Sequence, residues 1–207
     1  MFTALAAKTL TDTRVFHMVD ESLIGNTIRA GGLQKDTIRR IVAQIGSARE
    51  AGADVVMLTC SSVGAAVPVA RLLYDFPILR IDERLAAEAV SHGPRVGVLA
   101  TLKTTLEPTV ALVRDTAAAM GKHVEITAHL CQGAFEAVIA GDVATHDKAV
   151  AAGLATLAAT SDVIVLAQAS MARVIDAMGT DLPSLPIYSS PALAMEQARE
   201  TLCRAGI

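Results

Sequence analysis

Cys60 closes the apolar run Asp54-Val-Val-Met-Leu-Thr-Cys60 and is flanked by the hydroxyls of Thr59, Ser61 and Ser62. A thiolate is a nucleophile and a base, its conjugate thiol an acid, and the surroundings decide which form is held. The run is short and bounded by Gly52 and Asp54, which predicts a strand buried on both faces. The apolar pattern from Val63 to Tyr74 predicts a helix behind it. Cys60 therefore falls where a strand turns into a helix, the edge at which open α/β sheets bind ligands. Free N–H groups and the positive end of the helix dipole would favour the thiolate there. A buried, inert cysteine is the plainer alternative.

Other polar residues fall at comparable junctions. Asp20-Glu21-Ser22 follows the apolar run Arg14–Val19, and Thr101, Lys103, Thr104 and Thr105 follow Arg95–Ala100. Gln168 and Ser170 follow Asp162–Leu166, and Ser189-Ser190 follows Pro186–Tyr188. Ser22, Thr101, Thr104 and Thr105 read as hydroxyl donors to a carboxylate, with helix capping as the competing role. Asp20 reads either as a cap or as an acceptor for a substrate amine. Cys131, in His129-Leu-Cys-Gln-Gly133, is a second thiol near a strand end, whereas Cys203 in the terminal helix reads as packing. His17 reads as a core histidine inside its strand, His129 as a residue near a strand end, His92 as a helix C-cap and His146 as a helix start.

The elements that position these residues alternate. Strands are expected at 14–19, 54–58, 77–81, 95–101, 123–128, 162–166 and 186–188. Helices are expected from Gln34 to about Gly52, after Cys60, from an Asp82 cap to His92, from about Thr105 to Met120, over 133–140 and 146–160, from Ser170 to Gly179, and from Ser190-Pro191 to Gly206. The first twelve residues carry no strong signal, and 20–33 reads as a polar loop. Strands alternating with helices imply parallel sheets. A repeat runs through the pattern: Asp54-VVMLTCSS-Ser62 overlies Asp162-VIVLAQAS-Ser170 without a gap, and Cys60 falls on Gln168. The expected architecture is two pseudo-symmetric α/β/α lobes, each with a parallel four-stranded sheet, and an active site in the cleft between them. Lobe 1 takes residues 1–94 plus 190–207, and lobe 2 takes 95–189.

Bulk properties narrow the function. The 207 residues are 52% hydrophobic and 19% charged with a net charge of −3, which offers no basic footprint for nucleic acid. No membrane span or signal segment is expected, and three separated cysteines suggest a reducing, cytoplasmic setting rather than a disulfide framework. No glycine signature for a nucleotide follows the first strand, and no His/Cys/Asp cluster has metal spacing, so no cofactor is expected. An Ala-rich amphipathic surface suggests a homo-oligomer.

This arrangement resembles the aspartate/glutamate/hydantoin racemase superfamily over nearly the whole chain. The residues that carry the likeness are Asp20-Glu21-Ser22, the Cys60 segment, Ala100-Thr101 with Thr104-Thr105, and Leu166-Ala-Gln-Ala-Ser-Met171. The resemblance implies cofactor-independent chemistry at a carbon next to a carboxylate, with one thiol on each side of a small acid. Strand-end hydroxyls and N–H groups (Ser22, Thr59, Ser61, Ser62, Thr101, Thr104, Thr105 and Ser170) would bind it. Gln168 departs from the pattern at the second thiol position, because a carboxamide is no base near neutral pH. An isomerase with Cys60 as sole strand-end thiol is the leading expectation, its second proton coming from Cys131, a histidine or water. The alternatives are a one-thiol lyase or decarboxylase, a cis–trans isomerase of a small diacid, and a carboxylate-binding protein without catalysis.

Overall fold

The computed structural model describes residues 1–206, apart from the side chain of Asp181. The chain divides into two compact units, Met1–Glu83 with Pro191–Ile207, and Arg84–Ser190.

In the first unit, helix α1 (Phe2–Thr9) precedes an extended stretch, followed by α2 (Glu21–Arg29) and α3 (Lys35–Glu50). Strand β1 (Val56–Leu58), helix α4 (Ala66–Arg71) and strand β2 (Ile78–Arg80) come next. The two strands are parallel, with Val56 opposite Ile78 and Leu58 opposite Arg80. Ile41 and Ile45 of α3 pack with Val63, Val67, Ala70 and Ile78 into one core, since their helical spacing puts them on a single face.

The second unit opens with α5 (Glu83–His92), β3 (Arg95–Ala100), α6 (Lys103–Ala119), β4 (Glu125–Leu130), α7 (Ala134–Ile139) and α8 (Val143–Ala158). It ends with β5 (Val163–Leu166), α9 (Ala172–Met178) and β6 (Ile187–Ser189), after which α10 (Ser190–Ala205) returns to the first unit. Its sheet is wholly parallel in the order β4-β3-β5-β6. Every residue of β5 is 0% exposed, as continuous apolar strands covered on both faces require. Against that sheet packs α8, close enough that a Cβ at Gly153 would lie 2.6 Å from Leu99 Cδ1 and 3.0 Å from the Cys131 sulfur.

The expected alternation of parallel strands and helices is found, with three departures. Residues 20–33 contain a helix rather than a loop. Asp20 caps it by accepting from Ser22 N–H, and Leu23 and Thr27, four residues apart, supply its buried face. Residues 2–9 are also helical, anchored by buried Ala6.

The third departure is the first sheet, which has two strands among the described residues instead of four. Arg14–Val19 is extended but makes no strand pairing, leaving Val15, Phe16, Met18 and Val19 between 41% and 80% exposed. β1 bonds on one side only, with Val56 N–H donating to Pro77 O and Ile81 N–H to Leu58 O. Beyond its other edge is a cavity of about 490 Å³, lined by Arg14–Met18 as well as by Ile45, Met57 and Leu202. His17 accordingly lies at the surface, within 3.1 Å of Thr3 Oγ1, rather than in a core.

Candidate active site

Cys60 is extended (φ −124°, ψ 111°) and leads directly into a 3-10 turn, Ser61–Val63. The turn folds the N–H groups of Ser62 and Val63, and the Ser62 hydroxyl, toward the sulfur, which each of them helps to hold as thiolate. Burial outweighs them, and with a smaller contribution from the Asp82 carboxylate it pushes the thiol above its ordinary value. The expected lowering by a helix dipole is therefore not realised. The 3-10 turn has three residues and α4 has six, too few aligned peptides to offset desolvation. Ser61 and Ser62 are buried, whereas Thr59 is exposed.

Asp20 and Ser22 are committed to each other at the start of α2. The Asp20 carboxylate accepts from Ser22 N–H at 3.1 Å and from its hydroxyl at 2.5 Å. Arg40 Nη2 donates to Asp20 Oδ2 at 2.6 Å and to Ser22 Oγ at 2.7 Å, and Gln44 Nε2 donates to the same carboxylate oxygen at 2.7 Å. The Ser22 hydroxyl, then Gln44 and Arg40, hold the Asp20 carboxyl below its usual range against the effect of burial. Arg40 and Gln44 were not among the expected site residues, although their spacing of four on one helix face was legible. Arg80 and Asp82 were missed as well. Asp82, expected as a helix cap and placed immediately before α5, accepts from Arg80 through both oxygens at 2.9 Å.

In the second unit, Gln168 is also extended (φ −120°, ψ 136°) and also leads into a three-residue 3-10 turn, Ala169–Met171. Its carboxamide oxygen accepts from Thr101 N–H at 2.8 Å and its amide nitrogen donates to Thr101 Oγ1 at 2.6 Å. Both ends of the side chain are thus engaged with the residue that closes β3. Thr104 and Thr105 lie in the first turn of α6 and are buried. No side chain caps that helix, and Thr104 Oγ1 has no hydrogen-bond partner. Ser170 is exposed on its turn.

Cys131, the second thiol near a strand end, lies in the core of the second unit. It is 4% exposed in the core with Leu99, Val150 and Leu154, and burial pushes its thiol up to about 11. Cys203 is exposed rather than packed, on the outer face of α10. His146 is buried at the start of α8 with Nδ1 2.7 Å from Asp147 Oδ1, and His129 is half-buried in β4. Among the described residues no His/Cys/Asp/Glu group could hold a metal ion, and no helix is long and apolar enough to cross a membrane.

Cys60 is thus a strand-end thiol with N–H donors about it, on a parallel α/β scaffold. The family model for Asp/Glu/hydantoin racemase matches residues 1–198, and the chain belongs to that family. Among solved structures, glutamate racemase isoform RacE1 from Bacillus anthracis superposes with a TM-score of 0.78 at 14% identity, covering 100% of this chain and 78% of that one. A putative Asp/Glu racemase from Yersinia pestis gives 0.70 at 17% identity, over 96% of this chain and 90% of that one. Allantoin racemase from Klebsiella pneumoniae gives 0.57 at 20%, over 83% and 68%. At these identities the likeness is one of fold. No curated protein sequence matches the chain.

Proposed function

We propose that this chain is a cofactor-independent isomerase of the racemase or epimerase type, acting at the carbon next to a carboxylate of a small acid, with Cys60 as the proton carrier. One observation carries the reading: the Cys60 sulfur sits at a strand end, faced by the Ser62 and Val63 N–H groups and the Ser62 hydroxyl. As thiolate, Cys60 takes the proton from the α-carbon, and the C–H electron pair passes into the carboxylate as an enediolate. Solvent delivers a proton to the opposite face of that carbon, which inverts it, and the Cys60 thiol gives its own proton back to solvent to restore the thiolate. Donors fixed before the reaction stabilise the enediolate without reorganising, usually the largest contribution in such chemistry.

In the second unit, the unpartnered Thr104 hydroxyl and the uncapped first turn of α6, with Thr101 and Thr105 in the same segment, are donors of the kind that bind an anion. Asp20 carries negative charge, and its role is to order the start of α2 and hold Ser22 and Arg40. Because burial raises the Cys60 thiol, turnover grows with pH through the ordinary thiol range and beyond it.

The Gln168 clamp favours a second reading. With both ends of its carboxamide on Thr101, Gln168 carries no proton, and Cys131 lies in a core. One thiol serving one face, with solvent on the other, also suits a lyase that delivers a proton to a carbanion after loss of carbon dioxide. Incubating amino acids, hydroxy acids and malonate-type diacids with the protein in deuterated water separates the two. Deuterium at the α-carbon with inversion is the expected result, and Cys60→Ser should lower it at least about a hundredfold. Carbon dioxide released from a malonate-type acid, with deuterium on one face of the product, identifies the lyase. Undiminished exchange in Cys60→Ser removes Cys60 from the mechanism.

A further inference from the structure

We propose that Arg80 and Asp82 are a positioning pair for Cys60: the guanidinium backs the turn that carries the thiol, and the carboxylate it binds balances the charge beside that turn. The inference rests on the reading of Cys60 as the proton carrier and adds residues to it. Both side chains are buried, at 6% and 1% exposure, and are joined by two parallel hydrogen bonds of 2.9 Å. A charged pair this deep is costly to desolvate, and an apolar pair of the same volume is often no less stable. Its place in the fold suggests what the pair does. A Cβ on Gly64 would lie 2.6 Å from Arg80 Nε and 2.7 Å from Cζ, so the guanidinium lies directly against the glycine that ends the Ser61–Val63 turn. Glycine is needed there because any side chain would displace the guanidinium or the turn.

The same turn supplies the N–H groups of Ser62 and Val63 that face the sulfur, so fixing Gly64 fixes them. Asp82 is the charged group acting on the thiol, and its charge opposes ionisation. Arg80 offsets that charge. Helix α2 also packs on the turn, through buried Leu23 and Thr27, while its charged residues Glu21 and Arg29 are exposed. Core neighbours of Cys60 from α3 and β1 are apolar. Arg80 thus touches the turn at Gly64, while the charge of Asp82 raises the thiol that the turn carries.

The test is the pH dependence of iodoacetamide alkylation of Cys60 in the intact protein, read by mass spectrometry of its peptide, so that no substrate is needed. Asp82→Asn removes the opposing charge and should move the midpoint down by about one pH unit. Arg80→Lys loses the planar fork on Gly64 and part of the compensation for Asp82, and should move it up. Circular dichroism identifies the folded variants. Midpoints moving in opposite directions support the pair as the element that sets the thiol. An unchanged midpoint in either folded variant, or shifts of the same sign in both, overturns it. If Asp82→Asn does not fold, Arg80→Lys decides alone: an unmoved or lowered midpoint refutes the proposal. Loss of the broader reading would show instead as full deuterium exchange in Cys60→Ser, whatever the alkylation midpoints do.

Discussion

At 4% exposure among Leu99, Val150 and Leu154, Cys131 holds its proton to about 11 against an ordinary 9.0, because a thiolate there would lose its hydration. The linkage has a definite sign. The folded value is raised, so the stabilisation is complete below the unfolded value and is lost as pH rises from 9.0 toward about 11. Relative to Cys131→Ala, the wild-type protein should lose about 1.4 kcal/mol of unfolding free energy per pH unit across that window, measured by urea denaturation. Parallel pH profiles for the two proteins would mean that Cys131 reaches water. Sequence reasoning placed Cys131 near a strand end, which is correct, but strand ends face both cleft and core. The side of the sheet covered by α8 was fixed only by its close approach at Gly153, a packing fact invisible in a single chain of letters. The place of Cys60 between a strand and a turn was legible because its short apolar run is local. The direction of its titration was not, since burial depends on distant segments.

Among elements, the contrast between β5 and residues 14–19 shows what apolar patterning alone can and cannot specify. Both stretches read as strands. β5 bonds to β3 on one side and to β6 on the other, and is fully buried. Arg14–Val19 has comparable β-forming residues but pairs with neither edge of β1, and its apolar side chains line a cavity or meet solvent. Propensity describes a residue's fit to a half-buried sheet; it does not supply the neighbour. Native-state hydrogen exchange should therefore find the amides of residues 15–19 exchanging within seconds to minutes, while those of Val163–Leu166 persist at least about a thousandfold longer. Protection of 15–19 equal to that of β5 would show that the segment pairs as a third strand, with the cavity closed. The helix at Glu21–Arg29 was hidden by Gly25, Asn26, Gly31 and Gly32, although its Asp20 cap stood in plain view. Glycine lowers helical preference by only about 1 kcal/mol, and burial of Leu23 and Thr27 outweighs it.

For the whole molecule, two units with unequal sheets should differ in resistance to unfolding. The first builds its core on two strands of three residues, with Val56, Met57 and Leu58 each partly exposed and the cavity of about 490 Å³ along a free edge. The second builds its core on four parallel strands, with β3 and β5 at its centre and Leu99, Leu154, Ile164 and Leu166 all at 0% exposure. Unfilled space deprives its lining of dispersion contacts, and a free strand edge leaves backbone groups to water, so both features lower the local cost of opening. Hydrogen exchange with mass spectrometry across a urea series should show peptides from β1, α4 and β2 losing protection at lower urea than peptides from β3 and β5. Because the chain passes between the units at residues 83–84 and 190–191, the intermediate would keep the second unit folded between two opened ends. A single shared midpoint for both sets of peptides would mean that the units unfold as one cooperative body, and the inequality of their cores would then have no bearing on stability. The order matters for function as well, since Cys60 and its turn lie in the less protected unit. A ligand held by that turn should raise its urea midpoint selectively, by an amount that grows with ligand concentration.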